Sequence, residues 1–336
     1  MNIINSKSLL NYNTFKIDAY ADLFTEIKSQ KDIIEILKNE SLHKKEILIL
    51  GGGSNILLTK NITGLVIHNQ IKGIQIIEEN EETVVVEVGS GEEWDNFVNW
   101  STKNNFYGIE NLSLIPGSVG AAPIQNIGAY GAELKNVFVK LEAINLKTKE
   151  ITLFKKNECE FDYRDSIFKK KFKNKFIITK VWFQLSKIQN TNTNYKSLNT
   201  EIERLQLKNP TSQEIRRIII DVRNSKLPNP KEIGNAGSFF KNPIIQKQQL
   251  HTLQQTYPNI PFFKKTEIKI PAAWLIENSN WKGYKNSTCG VYEKHALVII
   301  NHNKANGQDI LMLTNKIKQS VYQKFNITLE EEVLII

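Results

Sequence analysis

Residues Ile115–Glu133 form the segment that decides the fold: IPGSVGAAPIQNIGAYGAE. Nearly every side chain in it is small, and Pro116 and Pro123 interrupt any regular helix or strand. Connections in compact domains are commonly about 4–6 residues long, and much longer ones are usually functional. Small residues leave room for a large, flat ligand and expose backbone donors to it. A tightly packed buried crossover is the alternative, but the length and the prolines favour a ligand.

A second glycine-bearing segment follows a short aliphatic strand. Ile47–Leu50 runs directly into GGGSN at 51–55. Consecutive glycines let the backbone approach a ligand closely, and their amides can form a concavity for phosphate, with the Ser54 hydroxyl and the Asn55 amide assisting. A plain turn is the alternative, and the Rossmann spacing G-x-G-x-x-G is absent. Two such loops on one domain would suit the pyrophosphate of a dinucleotide.

Composition predicts a soluble globular protein. The chain has 336 residues, of which 40% are hydrophobic and 24% charged, and this suits two or three domains. No apolar run approaches the ~20 residues that span a bilayer. The N-terminus lacks the apolar stretch of a signal peptide, so we expect a cytoplasmic protein without membrane insertion. Cys159 and Cys289 give neither a disulfide framework nor a metal-ligand spacing, so no metal site is predicted.

The positive charge introduces a rival from another functional class, a basic nucleic-acid-binding protein. The formal net charge is +9. The segment that would bind nucleic acid is FKKKFKNKF at 168–176, where lysines alternate with aromatic residues. A solvated turn between two strands of a lysine-rich protein explains the same segment, and we favour it. We therefore expect no nucleic-acid partner. The lysines concerned are Lys169, Lys170, Lys171, Lys173 and Lys175.

Hydrophobic periodicity divides the chain into three predicted parts, 1–69, 70–226 and 227–336. Ser212 is the predicted N-cap of its helix, residues 187–199 are a predicted polar link, and residues 234–242 are a predicted loop. The predicted helices cover 31–38, 93–103, 212–224 and 306–325. The predicted strands cover 47–50, 64–67, 74–78, 83–88, 137–145, 150–154 and 176–185.

The motif YRDS at 163–166 contains a candidate catalytic cation. Arg164 beside Asp165 is either a plain surface ion pair or a guanidinium held for a planar carboxylate or enolate. Spacing alone favours the surface pair.

Two further motifs lie in the C-terminal third. In GNAGSFFKNP at 234–243, Ser238 is not a hydrolase elbow, because Phe240 stands where G-x-S-x-G requires glycine. A serine here could donate a proton instead of attacking as a nucleophile. In LEEEV at 329–333, three acids precede an aliphatic end, and a final strand would turn Glu332 toward the interior.

Taken together, these motifs resemble those of the UDP-N-acetylenolpyruvoylglucosamine reductase family. They cover nearly the whole chain in the family's order, and the blocks at 115–133 and 234–243 are the most specific. The matching segments are NTF at 13–15, GGGSN at 51–55, IPGSVGAAPIQNIGAYGAE at 115–133, YRDS at 163–166, KLPNP at 226–230, GNAGSFFKNP at 234–243 and LEEEV at 329–333.

The resemblance implies an α+β fold: an FAD-binding domain of the vanillyl-alcohol-oxidase (PCMH) type in two α/β parts, followed by a C-terminal α+β substrate domain. It implies non-covalent FAD, NADPH as co-substrate, and reduction of UDP-N-acetylglucosamine enolpyruvate to UDP-N-acetylmuramate for peptidoglycan synthesis. NADPH and the nucleotide sugar would use one site in turn. The implied cofactor contacts are Gly51, Gly52, Gly53, Ser54, Asn55, Ile115, Pro116, Gly117, Ser118, Gly120, Ala121, Ala122, Gln125, Asn126 and Gly128.

The resemblance also implies catalytic roles. Hydride addition leaves negative charge beside the substrate carboxylate, and Arg164 would stabilise that charge. Ser238 would donate the proton that completes the reduction. Glu332 would polarise the same intermediate or help reprotonation. Because Glu331 stands where the family commonly has proline, Glu330 and Glu331 are alternatives for this acid, although the valine that follows favours Glu332.

Four residues are implied as substrate contacts. Tyr195 stands where the longer family type has a tyrosine that closes on the substrate diphosphate, although the residues after it depart from the family's pattern. Lys226 and Asn242 match contacts to uridine diphosphate or carboxylate. His295 is included as a candidate, and a structural role is its alternative.

The rival among enzymes is an oxidase of the same flavin superfamily. It would lack the block at 234–243 and would often tether the flavin through a histidine or cysteine. Neither residue type occurs in the loops at 51–55 and 115–128, which argues against this rival.

Overall fold

The computed structural model describes residues 2–43, 45–264 and 267–336, and it divides the chain into two compact units. Each unit combines segments that are far apart in sequence. The first unit holds the N-terminal residues up to Lys7, Ala21–Gly52 and Ile62–Ser225, and the second holds Ser8–Tyr20, Gly53–Asn61 and Lys226–Ile336. The predicted division at 69/70 stays a prediction.

The elements are numbered in chain order. The strands are β1 (Ile4–Ser8), β2 (Tyr20–Ile27), β3 (Ile47–Leu50), β4 (Ile56–Leu57), β5 (Ile62–Asn69), β6 (Ile74–Glu79), β7 (Thr83–Gly89), β8 (Gly128–Ala129), β9 (Ala132–Glu133), β10 (Phe138–Asn145), β11 (Ile151–Lys155), β12 (Phe176–Ser186), β13 (Gly234–Ser238), β14 (Ile244–Ile245), β15 (Phe263–Lys264), β16 (Ile268–Lys269), β17 (Cys289–Val291), β18 (Val298–Asn301) and β19 (Leu334–Ile335). The α-helices are α1 (Gln30–Lys38), α2 (Glu40–His43), α3 (Trp94–Lys103), α4 (Lys196–Arg204), α5 (Ser212–Lys226), α6 (Lys247–Thr256), α7 (Ala272–Glu277) and α8 (Gly307–Phe325).

A small four-stranded sheet in the first unit positions the first glycine segment. Its order is β1-β2-β5-β3, and β5 runs parallel to both β2 and β3. Helix α1 lies between β2 and β3 in the chain; a reciprocal capping box between Ser29 and Asp32 starts it, and Ile33, Ile36 and Leu37 form its buried face. The segment GGGSN begins at the carboxyl end of β3, and ligands of open α/β sheets bind outside such strand ends.

An antiparallel sheet forms the second layer of this unit, in the order β11-β10-β12-β7-β6. Helix α3 packs aromatic side chains against it: the rings of Trp94 and Phe97 lie 5.8 and 5.0 Å from that of Phe183 in β12. The Trp94 Nε1–H donates to the Leu112 carbonyl at 2.9 Å, so the buried indole keeps its hydrogen bond. This contact anchors the chain just before residues 115–133, the long glycine-bearing loop.

The lysine-rich segment 168–176 lies in the connection between β11 and β12, as predicted. Its aromatic residues face inward: the rings of Phe168, Phe172 and Phe176 lie 5.2, 5.6 and 5.1 Å from that of Phe154. The alternation of phenylalanine and lysine therefore separates a buried side from a solvated side, as the turn interpretation requires.

The second unit contains two small antiparallel sheets, β13-β18-β17 and β14-β16-β15, and a parallel pair, β19 with β4. Its long helix α8 begins at a capping box between Asn306 and Asp309. Within the described ranges, no helix has the length and apolar character required to cross a bilayer. The buried stripe of α8 consists of Ile310, Leu313, Ile317, Val321 and Phe325.

Three local predictions are wrong. The cap of α5 is Thr211: its Oγ1 accepts from the Glu214 amide at 3.3 Å, and its backbone N–H donates to the Glu214 carboxylate at 2.8 Å, while Ser212 Oγ is buried inside the first turn. Residues 187–199, predicted as a link, include the start of α4. Residues 234–242, predicted as a loop, begin with strand β13, because β18 supplies its backbone hydrogen-bond partners.

Candidate active site

The two glycine segments meet in the first unit. A Cβ added to Gly52 would lie 2.9 Å from the Gly117 Cα, and one added to Gly51 would lie 2.3 Å from the Ser118 Oγ. A side chain at position 52 would collide with the Gly117 backbone, and one at position 51 would displace the Ser118 hydroxyl, so the two backbones and the serine hydroxyl lie side by side. Such a concentration of backbone groups can bind phosphate oxygens, as the sequence suggested.

The long loop is held by backbone hydrogen bonds to the segment before α3. The Val119 and Gly120 amides each donate at 2.8 Å, to the carbonyls of Glu92 and Ser90. The Gly117 carbonyl accepts from the Trp94 amide at 2.9 Å, and Gly117 itself has φ 121°, which favours glycine. The loop is thus fixed by the fold, as a preorganised ligand site requires.

Exposure separates the predicted cofactor residues of this loop into two groups. One group is accessible or half-buried, and the other is buried, although the Ser118 hydroxyl of the second group lies at the junction with Gly51. The first group is Ile115, Pro116, Gly117, Ala121, Gln125 and Gly128, and the second is Ser118, Gly120, Ala122 and Asn126.

Gly53, Ser54 and Asn55 belong to the second unit. Gly53 has φ 59°, and an added Cβ would lie 2.0 Å from the Tyr12 carbonyl oxygen, so only glycine fits there. The Asn55 Nδ2 donates to the Glu332 carbonyl at 3.1 Å. The structure thus brings a predicted cofactor residue to a predicted catalytic residue, a link that the sequence did not suggest.

Arg164 lies in a tight turn of the first unit. Asp162 and Asp165 exchange backbone hydrogen bonds of 3.1 and 3.3 Å across it, and Arg164 has the left-handed value φ 53°. Asp165 forms an ion pair with Lys170 at 2.6 Å. An Arg164 Nη2–H donates to the Gly128 carbonyl at 2.5 Å, which brings the guanidinium to the long loop.

Tyr195 precedes α4, with 42% of its surface exposed. Its ring lies 5.3 Å from that of Tyr130, edge to face at 78°. Burial raises the pKa of Tyr130, and the nearby positive charge of Arg223 acts in the opposite direction. Tyr195 is therefore accessible and packs against the Tyr130 ring, which suits a residue that contacts ligands.

Sequence reasoning missed Tyr130 and Arg223. Burial lowers the pKa of Arg223 from its ordinary value, although Tyr130 and Asp95 act in the opposite direction. Arg216, seven residues before Arg223 on α5, forms a bidentate ion pair with Asp95 at 2.6 and 2.9 Å. Arginines seven residues apart lie on one face of a helix. The spacing of Arg216 and Arg223 is the sequence feature that could have indicated a shared role.

Ser238 ends strand β13 in the second unit. It pairs with Val298 of β18 after a register shift that begins at Asn235, and Gly237 has φ 69°. A β-bulge of this kind redirects the following side chain. Ser238 is half-buried, while Phe239 beside it has no exposed surface. The residue therefore sits in a strand, where the sequence predicted a loop.

Glu332 is fixed next to the Ser238 segment. Its amide donates to the Phe239 carbonyl at 2.8 Å. The two alternative acids have lysine partners: Glu331 pairs with Lys318 at 2.7 Å, and Glu330 lies 3.6 Å from Lys241. Glu330 and Glu331 therefore each lie beside a lysine side chain, and the Glu332 backbone is tied to the residue after Ser238.

The remaining predicted contacts also lie in the second unit. The Asn242 Oδ1 accepts from the Ala272 amide at 2.9 Å, so it binds the start of α7 and leaves its amide nitrogen for other partners. Burial lowers the pKa of His295, and the positive charges of Lys226 and Lys282 lower it further. His295 is thus held neutral near Lys226, and its Nδ1 accepts from the Leu297 amide at 3.3 Å.

Among the residues that the structure describes, no group of three or more His, Cys, Asp or Glu side chains could hold a metal ion. Both cysteines are buried as free thiols, and burial raises the pKa of Cys159 to about 12. A reactive thiolate is therefore not available at that position.

Two family models match the chain: residues 21–153 match the FAD binding domain, and residues 229–336 match the C-terminal domain of UDP-N-acetylenolpyruvoylglucosamine reductase. UDP-N-acetylenolpyruvoylglucosamine reductases of Flavobacterium johnsoniae and Amoebophilus asiaticus are 45% and 44% identical to it, each over 100% of both chains. The crystal structure of UDP-N-acetylenolpyruvylglucosamine reductase from Thermus caldophilus covers 99% of this chain and 98% of that chain, with a TM-score of 0.67 and 20% identity. These matches confirm the predicted fold class.

Proposed function

The chain belongs to the UDP-N-acetylenolpyruvoylglucosamine reductase family, and from this premise we propose that it reduces UDP-N-acetylglucosamine enolpyruvate to UDP-N-acetylmuramate with NADPH. This is the UDP-N-acetylmuramate dehydrogenase reaction of peptidoglycan precursor synthesis. The observation that carries the proposal is the identity of 45% over the full length of a named relative. Because nucleotide sugars and NADPH are cytoplasmic metabolites, we place the reaction in the cytoplasm.

The residues of the first unit fit FAD. The junction of Gly51 and Gly52 with Gly117 and Ser118 offers backbone groups and one hydroxyl where side chains are excluded, which suits a pyrophosphate. FAD, when bound, supplies two-electron transfer from NADPH to the outer carbon of the enolpyruvyl group. The protein's task is to bind the substrates, to stabilise charge and to deliver a proton.

Arg164 stabilises the negative charge that develops next to the substrate carboxylate. A guanidinium offers several donors in one plane, and such a fork matches a carboxylate or an enolate better than a point charge does. The Gly128 carbonyl takes one of its Nη2 hydrogens, which fixes the plane of the group. Fixed donors act without reorganisation during the reaction, and this is the source of their large effect.

Ser238 delivers the proton to the carbon next to the carboxylate. A serine is a weak acid, so it needs a fixed position and a neighbour that favours its deprotonation. The bulge in β13 fixes the position, and the Glu332 amide bonded to the Phe239 carbonyl ties the C-terminal segment to the residue after it. Glu332 assists by polarising the same intermediate.

Tyr195, Lys226, Asn242 and His295 bind the substrate outside the reacting group. The exposed ring of Tyr195 and the exposed amine of Lys226 suit a diphosphate, which accepts hydrogen bonds and carries negative charge. His295 is held neutral, so its Nε2 carries a hydrogen and is a donor, because Nδ1 already accepts a hydrogen bond.

Anaerobic mixing tests the function. The purified protein should be yellow, NADPH should bleach the flavin absorption, and the enolpyruvyl nucleotide sugar should then restore it with formation of UDP-N-acetylmuramate. A protein that holds no FAD after reconstitution overturns the proposal. A reduced protein that oxygen reoxidises and the nucleotide sugar does not would point to an oxidase instead.

Glu332→Gln should lower the rate of product formation more than Glu331→Gln. The charge that Glu332 contributes to the intermediate is lost, whereas Glu331 only pairs with Lys318. General acid–base partners contribute about 10²–10⁴-fold, and an assisting group falls at the lower end of that range. Single-turnover oxidation of the reduced enzyme by the nucleotide sugar measures both variants. A larger loss in Glu331→Gln would transfer the role to Glu331.

A further inference from the structure

The side chain of Asn126 connects three segments of the first unit. Its Nδ2 donates to the Glu133 carboxylate at 3.1 Å and to the Asp162 carbonyl at 3.0 Å, and its Oδ1 accepts from the Lys135 amide at 3.0 Å. Asn126 has no exposed surface, and its backbone N–H donates to the Pro123 carbonyl at 3.4 Å. Its hydrogen-bond donors are thus committed to the protein, which makes a direct bond to a cofactor costly.

Asn126 takes this position because of its backbone. It follows the 3-10 helix Ala122–Gln125 with φ 44° and ψ 64°, a left-handed conformation that asparagine adopts more readily than most residues. In this conformation the long loop turns back at 126. The side chain then reaches both the hairpin β8–β9 and the turn that carries Arg164.

The hairpin and the turn both support Arg164. Its Nη2 donates to the Gly128 carbonyl, and a Cβ added to Gly128 would lie 2.9 Å from Arg164 Nη1 and 3.1 Å from Glu133 Cγ. The guanidinium and Glu133 are therefore neighbours at Gly128. Although burial opposes it, hydrogen bonds and charges from Lys135, Asn126 and Arg164 lower the pKa of Glu133, which keeps it ionised.

Arg164 needs such support because its own backbone is strained. A left-handed conformation costs a non-glycine residue, and it persists only where its surroundings determine it. Asn126 bonds the Asp162 carbonyl at the start of the turn, while Lys169 Nζ donates to the Arg164 carbonyl at 3.3 Å.

We propose that Asn126 is a positioning residue for the reaction: it holds Glu133 and the 162–165 turn so that the Arg164 guanidinium keeps the orientation that the substrate requires. The inference rests on the proposed function, in which Arg164 stabilises the developing charge. It assigns Asn126 a role different from the cofactor contact that the family resemblance implied.

Asn126→Gly tests this role, because glycine keeps the left-handed backbone and removes the three side-chain hydrogen bonds. The variant should hold FAD and be reduced by NADPH as the unaltered protein is. Its oxidation by the enolpyruvyl nucleotide sugar should slow by about tenfold to a hundredfold, since small misplacements of a catalytic group cost rates of this order. Asn326→Gly, at another left-handed asparagine beyond the end of α8, is the matched control and should keep the normal rate.

The decisive comparison is a double-mutant cycle with Arg164→Gly, which removes the guanidinium and tolerates φ 53°. If Asn126 acts through Arg164, Asn126→Gly should cost nothing more in that background. The same cost in both backgrounds, or a loss of FAD affinity that explains the slower rate, would overturn the proposal. If Asn126→Gly does not fold, Asn126→Asp replaces it in the cycle. Aspartate has the shape of asparagine, but it presents an acceptor to Glu133 in place of the Nδ2 donor.

The activity of the unaltered protein distinguishes a failure of the proposed function from a failure of the proposed role of Asn126. If it lacks FAD or forms no UDP-N-acetylmuramate, the proposed function fails before any variant is made. If it is active and the cycle is additive, only the positioning role of Asn126 fails.

Discussion

Ser238→Ala should leave reduction of the flavin by NADPH unchanged and lower the formation of UDP-N-acetylmuramate by about 10²–10⁴-fold, the usual contribution of a general acid. The change removes the hydroxyl that delivers the proton and leaves no other group at that point of β13. The backbone should not move, because the pairing with Val298 and the burial of Phe239 do not depend on the hydroxyl.

The two half-reactions are measured separately by stopped-flow absorbance of the flavin, first with NADPH and then with the nucleotide sugar. Ser279→Ala is the matched control: it removes a hydroxyl of the second unit that only donates to the Leu275 carbonyl at 2.8 Å. Equal losses in both half-reactions of Ser238→Ala would show a general disturbance and remove the proton-donor role. A solvent isotope effect on the second half-reaction that disappears in the variant would support it.

The parts of the fold and site that sequence predicted depend on short-range rules. The strand Ile47–Leu50 and the glycines after it could be recognised because aliphatic runs and positive φ are local properties. Ser238 could be excluded as a nucleophile elbow from Phe240 alone. The place of β13 in a sheet was missed, because five small residues show no period and only β18 makes them a strand.

The unpredicted parts depend on partners far apart in the chain. Nothing near Asn126 in sequence indicates Asp162, and nothing near Tyr130 indicates Arg223. Even the cap of α5 was misplaced by one residue, because Thr211 and Ser212 are both good caps and only the Glu214 carboxylate decides between them. Local chemistry identified candidate groups, and tertiary contacts determine how they are held.

Arg164→Lys should lower product formation by about 10²–10³-fold, the loss that follows removal of one preorganised donor. Lysine keeps the charge and accepts the same strained backbone about as well as arginine, so the turn should fold. Its ammonium is a compact, strongly hydrated point charge that cannot bond the Gly128 carbonyl and present a planar fork to the substrate at once.

The measurement is kcat/KM for the nucleotide sugar, with flavin content checked by absorbance. Arg204→Lys, at an exposed ion pair with Glu201, is the control and should match the unaltered protein. Because the effect lies in the transition state, kcat should fall with kcat/KM, whereas a loss of substrate binding alone would raise KM at constant kcat. Near-normal turnover would remove Arg164 from the mechanism, and with it the need for Gly128, Glu133 and Asn126 to hold a guanidinium in one plane.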